Sequence, residues 1–502
     1  MRLFTWMKPS VCVFVLAGAV SAAEPVDVGS RRELFVDDYL IERLDNARRV
    51  LHHPTPREIV LKHNAPWEGS GSGYHSIFRD GDRYRMYYKA WQLTIENDKL
   101  TQPHPLYACY AESPDGIHWE KPDVGLFEFE GSKQNNIVLA PGKYGAVEPD
   151  PGHIAVFKDA NPDCPADARY KAIVRSRAPK GLLAFGSPDG LRWKPLADRP
   201  VITQGAFDSQ NLAFWDPVRE EYRAYWRYFK DGKRDIMTAT SPDFVNWSEP
   251  VPLTYPGAPH EHLYTNQIAP YYRAPHIFIG FPTRYVERGW SASMEALPEL
   301  GHRRLRSRAN DRYGMALSEG LLMSSRDGRA FHRWHEAFLR PGIERPGTWH
   351  YGQQYIGWHV VETRSALGGA PHELSLYAGE SYWTGTSSEL RRYTLRIDGF
   401  VSVQAPLAGG EMLTKPLRFQ GKRLVLNFAT SAAGGIRVEL QTPDGKPIEG
   451  FTPADSDEIF GDCLERTATW KGGADVAKLA GSPVRLRFVL KDADLYSIRF
   501  VE

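Results

Sequence analysis

The stretch SPDGIHWEKP, residues 113–122, decides the fold, because the chain repeats it three more times in altered form. The later copies are SPDGLRWKPL from Ser187, SPDFVNWSEP from Ser241 and SSRDGRAFHRW from Ser324. Each copy follows a short apolar run: LYACYAES, GLLAFGS, DIMTATS and GLLMSS. Asp and Gly suit a tight turn, since Gly tolerates positive φ and Asp bonds its own backbone. The aromatic residue after each turn is bulky enough to cap a neighbouring strand. A second motif, a recurring pair of strands, lies upstream of each turn, and in several copies an Asp-containing turn joins its apolar strand to a Tyr-rich alternating one. Its copies begin at Tyr74 (YHSIFRDGDRYRMYYKAW), Gly152, Ser209, Thr265 and Gly352. The last copy leads into LRRYTLRIDGFVSV, which supplies a fifth Asp-Gly-aromatic turn at Asp398.

Five units of unequal length, with turns at Asp115, Asp189, Asp243, Asp327 and Asp398, read as a five-bladed β-propeller. Stacked blades bury faces that no single blade buries alone, and closure of the ring hides sheet edges. An open sandwich would not need five copies. Beyond Ala405, the segments EMLTKPLRF, KRLVLNFAT, GIRVELQT, ERTATWKG, PVRLRFVLK and LYSIRFVE read as six further strands. The expected fold is therefore all-β, a five-bladed propeller over 24–405 followed by a C-terminal β-sandwich over 406–502. The early segment RELFVDDYLIERL is expected to complete the last blade.

The first 23 residues have the form of a removable secretory signal. Arg2 and Lys8 flank an apolar run, SVCVFVLAGAV, and SAAEP offers small residues for cleavage. That run is too short to cross a bilayer, and no later segment is apolar enough to do so. A secreted or periplasmic protein without a membrane span is expected. With 62 basic and 61 acidic residues, the near-neutral chain lacks the basic excess of a general nucleic-acid binder. Cys12 departs with the leader, and Cys109, Cys164 and Cys463 match neither a closed disulfide framework nor a zinc motif. No metal or cofactor is expected. Oligomeric state is not legible.

Chemistry is expected where the innermost strands begin, since in a propeller those starts converge on one axis. Polar residues crowd there: His75, His153, Asp208 with Gln210 and Asn211, Glu261 with Asn266 and Gln267, and His350 with Gln353 and Gln354. The competing reading is that these groups satisfy one another, as buried polar groups must. A polar, aromatic-lined funnel with several carboxylates suits glycoside hydrolysis. That reaction needs one carboxyl to protonate the leaving oxygen and another to act as base or nucleophile. Asp208 is expected as base or nucleophile and Glu261 as acid, with Glu68 the third catalytic candidate. His75, His153, Asn211 and Asn266 would orient the sugar, Glu380 would line the pocket, and Arg273 and His276 would hold a substrate carboxylate or sulfate. The run GHRRLRSRANDR, 301–312, reads as a solvated basic loop, with attraction of an acidic polysaccharide to the funnel as the alternative. A propeller that binds carbohydrate without catalysis, and one that uses His75 and His153 for lyase or metal chemistry, are the alternatives.

The stretches LFVDDYLIE, PWEG, NNIV, FDSQNLAFWDP, LYTNQIAPYYRAPH, SRDG and LRRYTLRIDGF resemble a group of exported bacterial proteins labelled family-32-like glycosyl hydrolases. Those proteins are related to the propeller glycosidases of families 32 and 43. The resemblance spans nearly the whole mature chain, and implies a five-bladed propeller that hydrolyses O-glycosyl bonds of plant or algal polysaccharide. The WMNDPNG, RDP and EC motifs of family 32 proper are absent from the sequence. The resemblance thus implies fold and broad activity, and the candidate carboxylates rest on their positions alone.

Overall fold

The computed structural model describes residues 24–502, so the leader expected over 1–23 lies outside the described residues. Five four-stranded antiparallel sheets form the propeller. Their innermost strands are Gly73–Asp80, Pro149–Lys158, Leu212–Asp216, Ala269–Tyr271 and Val361–Thr363. Adjacent blades meet around the axis through backbone and hydroxyl contacts: Ile77 N–H donates to Trp358 O at 3.1 Å, and Trp358 N–H to His75 O at 2.7 Å. Val156 N–H donates to Ser76 Oγ at 3.2 Å.

The ring is closed from the N-terminal side, but by a different segment from the one expected. Thr55–Lys62 forms the outer strand of the fifth blade, pairing with Glu389–Leu395. RELFVDDYLIERL instead joins the C-terminal module: Glu33–Leu34 pairs with Arg485–Val501, and Ile41–Asp45 with Gly410–Thr414. The reason is alternation. Leu34 and Val36 pack among Ile277, Ile279 and Phe400 of the propeller, while Phe35, Leu40 and Ile41 pack among Leu417, Leu426 and Phe488 of the second module. A segment apolar on both faces belongs between two cores. The true closing strand, TPREIVLK, carries Pro56 and alternates with charges, a pattern tolerated at a sheet edge.

The repeated turn explains how blades lock together. In each of four turns the Asp carboxylate accepts two following backbone N–H groups. Asp189 Oδ1, for example, accepts from Leu191 at 2.8 Å and Arg192 at 2.9 Å. The turn then presses on the preceding blade: Tyr377 donates to Gly116 O, and Tyr225 to Gly328 O at 2.8 Å. Gly328 lies at φ +73°, and a Cβ there would meet the Tyr225 hydroxyl at 2.8 Å. Gly328→Ala is therefore expected to cost about 2 kcal/mol or more, read as a lowered urea midpoint. The third turn departs from the pattern. Phe244 replaces Gly at φ +69° and fills space beside Phe157. Blade two there reads Tyr170 to Ile173, where blades one and three read Tyr84–Tyr87 and Tyr222–Tyr225. With Ile173 there is no hydroxyl to bond, and an aromatic plug takes the place of the hydrogen bond.

These turn carboxylates also set the acid limit. Burial alone would raise the Asp189 carboxyl, but the N–H groups of Arg192 and Leu191 outweigh it and hold it at about 2. Asp243 and Asp327 are depressed by the same competition. A carboxyl whose folded pKa is depressed stabilises above its unfolded pKa and loses that contribution as pH falls toward the folded value. Stability is expected to drop between about pH 4 and pH 2, measurable by thermal unfolding across that window.

The second module is built mainly on two long strands, Arg423–Gln441 and Arg485–Val501, paired along most of their lengths. It is a β-sheet assembly, with Phe419 and Phe500 stacked at 3.8 Å. Its membership begins earlier than 406: Val401–Ala405 pairs with both Arg48–Leu51 and Arg485–Val501.

Candidate active site

A narrow chamber opens at the entry ends of the inner strands, with about 30 Å³ of free space, room for about one to a few waters. Tyr74, His75, Lys89, Tyr264, Tyr351, Tyr355, Glu380 and Tyr382 line it. The backbone turns sharply to reach it. Tyr74, Gln267, Gln354 and Ser381 adopt φ of +56°, +48°, +56° and +54°. Non-glycine residues in the left-handed region carry strain that the surrounding structure must hold, and such positions gather at functional sites.

Beneath the chamber the amides bond the blades to one another. Gln210 Nε2 donates to Tyr74 O at 3.0 Å, and Gln267 Nε2 to Gln210 Oε1 and Ile356 O, both at 2.9 Å. Asn211 and Asn266, expected to orient a sugar, are buried and turned to the backbone. Asn211 Nδ2 donates to Phe207 O and Ser209 O, and Asn266 Oδ1 accepts from Ile268 N–H at 3.3 Å. Both serve the ring.

The histidines split. His75 reaches the chamber, with its Nε2 3.1 Å from His63 Nε2, while His63 Nδ1 lies 3.1 Å from Ser388 O. If His63 donates to that carbonyl, its Nε2 must accept from His75. Burial, reinforced by the charge on Lys121, holds His63 at about 3, so the pair is neutral. His153 stands beside Tyr74, ring centroids 5.8 Å apart, and bonds Asp150 at 3.0 Å. His276 lies elsewhere, at the junction with the second module, 3.1 Å from Glu33. Arg273 is there too, paired with Asp398 and Glu465, each at 3.1 Å.

The carboxylates are almost all committed. Glu380 forms a wall of the chamber but is 1% exposed, held by Arg345 at 2.6 Å and Arg391 at 2.8 Å. Glu68 is equally buried outside the chamber lining, accepting from Lys121 at 2.6 Å and Ala65 N–H at 2.9 Å. Glu261 pairs with Arg333 and, at 3.5 Å, with Arg284, and does not line the chamber. Asp208 differs. Like Glu68 and Glu261 it is not part of the chamber lining, but it pairs with Arg227 while its side chain stays 61% exposed, and Arg227 lies 5.1 Å from the ring of Tyr264, which does line the chamber. Burial would raise the Asp208 carboxyl; the Arg227 charge outweighs this and lowers it. Asp150 is held at about 2, because His153 and Arg175 overcome the effect of burial.

Against the His350 and Tyr382–Trp383 segments packs a helix, Leu300–Ala309, where the sequence read as a solvated basic loop. Arg303 and Arg306 within it are fully buried. Arg306 donates to His350 Nδ1 at 2.7 Å, and His350 Nε2 to Glu299 at 2.8 Å. Arg303 reaches Pro298 O at 3.0 Å and also Trp349 O. Burial lowers Arg306 to about 9, the adjacent Arg303 adding to the effect. The helix is thus pinned by arginines spent on carbonyls and a histidine.

Sequence reasoning did not find Lys89, Tyr74, Tyr351, Tyr355 or Tyr382. The signal was present in MYYKAW, where Lys89 directly follows and precedes apolar or aromatic residues, and in the tyrosines of WHYGQQYIGW and GESYW. Among the described residues, no group of three or more His, Cys, Asp or Glu is placed to hold a metal ion.

No family model matches the chain, and no curated protein matches it. Solved structures similar to it include an N-acetylgalactosamine deacetylase from F. plautii in complex with blood group B trisaccharide. That match is 12% identical, covers 70% of this chain and 95% of the other, and has a TM-score of 0.40. A fructofuranosidase from Schwanniomyces occidentalis complexed with fructosylnystose is 12% identical over 91% of this chain and 98% of its own, with a TM-score of 0.36. The catalytic domain of a Coprinopsis cinerea GH62 alpha-L-arabinofuranosidase is 9% identical, covering 69% and 99%, with a TM-score of 0.40.

Proposed function

We propose that this chain is an exported glycoside hydrolase that takes carbohydrate, of plant or algal polysaccharide origin, into the axial chamber. The observation that carries the reading is Asp208. Among the candidate carboxylates at the converging strand starts, it is the one both ionised by an arginine and open to solvent. A base or nucleophile needs that combination. The tyrosine walls offer flat faces and hydroxyls, the lining that sugar rings favour. Burial under a bound sugar raises a carboxyl, so the protonated partner is expected in the complex, with Asp150 of the neighbouring blade as its candidate.

Asp208→Asn is expected to cut product release from a panel of algal and plant polysaccharides about 10³-fold with folding intact. Glu261→Gln is expected to lower stability by stranding Arg333, which is 2% exposed, and not to act on turnover alone. Equal release by wild type and Asp208→Asn would remove Asp208 from the chemistry. The second reading, a propeller that binds carbohydrate without cleaving it, is favoured by one observation. Asp150, Asp208 and Glu380 are all held below the ordinary carboxylate range, so none of the three is protonated in the free protein. Glycan binding without release from any substrate would decide for it.

A further inference from the structure

Lys89 is the unexplained group of the chamber. It projects from the second strand of the first blade, Arg83–Ala90, opposite Gly73 and Ala108, and is 3% exposed. Its ammonium sits among rings: 4.4 Å from the Tyr74 centroid, 4.6 Å from Trp91 and 5.6 Å from Tyr382. Among the described residues it has no hydrogen bond or ion pair. The carboxylates that would ordinarily neutralise it are engaged. Glu380 is held by Arg345 and Arg391, and Asp150, the acid whose charge reaches Lys89, is bonded to His153 and Arg175. His63, His75 and His153, the other titratable groups that feel its charge, are all lowered by burial first and by Lys89 among other charges. A buried cation without a counter-ion is costly unless something supplies one. Tyr355, which also lines the chamber, carries a buried hydroxyl that likewise lacks a partner.

We infer that Lys89 and Tyr355 form an oxyanion pocket within the chamber, and that the ligand is a sugar bearing a carboxylate or a sulfate. The inference rests on the chamber being the ligand site and is independent of whether hydrolysis follows. A small charged group fits the free space where a whole ring does not, so the acidic substituent enters the chamber and the ring stays outside it. The aromatic cage holds the ammonium by cation–π attraction until the anion arrives. The anion then provides the counter-charge that the fold leaves out. Since burial lowers Lys89 from its ordinary 10.5 to about 7, recognition also takes up a proton near neutral pH.

The test is calorimetric binding to the full-length mature protein at pH 6, using methyl β-D-glucuronide, methyl glucoside 6-sulfate and uncharged methyl glucoside. Inorganic sulfate and acetate are compared with chloride at equal ionic strength by thermal shift. The acidic sugars are expected to bind at least tenfold tighter than methyl glucoside, the stronger of the two identifying a uronate or a sulfate ester as the source. Lys89→Met is expected to abolish that preference, Lys89→Arg to keep part of it, and Tyr355→Phe to weaken it severalfold. Affinity of wild type for the preferred anion is expected to fall toward tenfold per pH unit above about 7. Equal binding of charged and uncharged sugars would overturn the inference. So would a preference that survives in Lys89→Met, or no binding of any acidic probe together with no anion-specific thermal shift. Loss of hydrolysis in Asp208→Asn with anion preference intact would separate the two claims.

Discussion

Lys89→Met is expected to stabilise the folded protein by about 3–5 kcal/mol at pH 6, with the gain shrinking as the pH rises above 7. The sign follows from the two protonation states. In the unfolded chain Lys89 holds its proton up to about 10.5, and in the folded chain only to about 7, because burial penalises the ammonium more than the charge of Asp150 rewards it. Below pH 7 both states are protonated, and the folded state bears the full cost of an unpaired buried cation. Between 7 and 10.5 the folded state sheds the proton while the unfolded state keeps it, and the penalty falls by about 1.4 kcal/mol per pH unit. Methionine fills similar volume without a charge and packs well against aromatic rings. Urea unfolding at pH 6 and pH 9 checks both the size and the slope. A variant less stable than wild type at pH 6, or a gain that does not change with pH, would mean that Lys89 is already compensated in the free protein. A residue that lowers stability while lining a chamber is the pattern expected where function, not folding, retains it.

The ring was legible because its signals are local. Asp-Gly turns, alternating Tyr-rich strands and their spacing report on hydrogen bonds made within a few residues, such as Asp115 to the N–H groups of Ile117 and His118. Contacts that depend on distant parts of the chain were not legible. Asn211 and Asn266 look like ligand groups in a linear reading, yet their partners are carbonyls and N–H groups fixed by the ring. Glu261 sits between two histidines in sequence, but its arginines come from residues 284 and 333. The basic run 301–312 has a polar composition, and only its packing against the Thr348–His350 and Tyr382–Trp383 segments shows that two of its arginines are buried. Lys89 was missed for the converse reason. A lysine on an alternating strand reads as solvent-facing, and what marks it is the lack of any partner.

Asp398→Ala is expected to cost about 3–5 kcal/mol and to loosen the second module from the propeller. The sequence gives Asp398 the look of a fifth turn, but no Ser stands two residues before it, and its carboxylate faces the interface between the modules. Buried completely, it accepts from the Tyr271 hydroxyl at 2.7 Å, Ser497 Oγ at 2.9 Å and Asn427 Nδ2 at 3.2 Å. It also pairs with Arg273 at 3.1 Å and Arg32 at 3.3 Å. These partners come from the N-terminal segment, the fourth blade and two strands of the C-terminal module, so one side chain ties three parts of the chain together. Arg32 is 4% exposed, and removing the acid leaves its charge with Glu465 alone, at 2.6 Å and half-exposed. Stranding a buried charge costs more than the pair itself is worth, because desolvation remains when attraction is gone. Asp398→Asn keeps the side-chain volume and one acceptor oxygen, enough for Tyr271 at the Oδ1 position or for Ser497 and Asn427 at the Oδ2 position but not both, so its loss is expected to be the smaller of the two. If Asp398→Ala lowers stability by less than about 1 kcal/mol, or leaves a single coincident unfolding transition for both modules, the interface is held by its apolar contacts. Leu34 and Val36 on one face and Phe35 on the other would then be the residues that hold it.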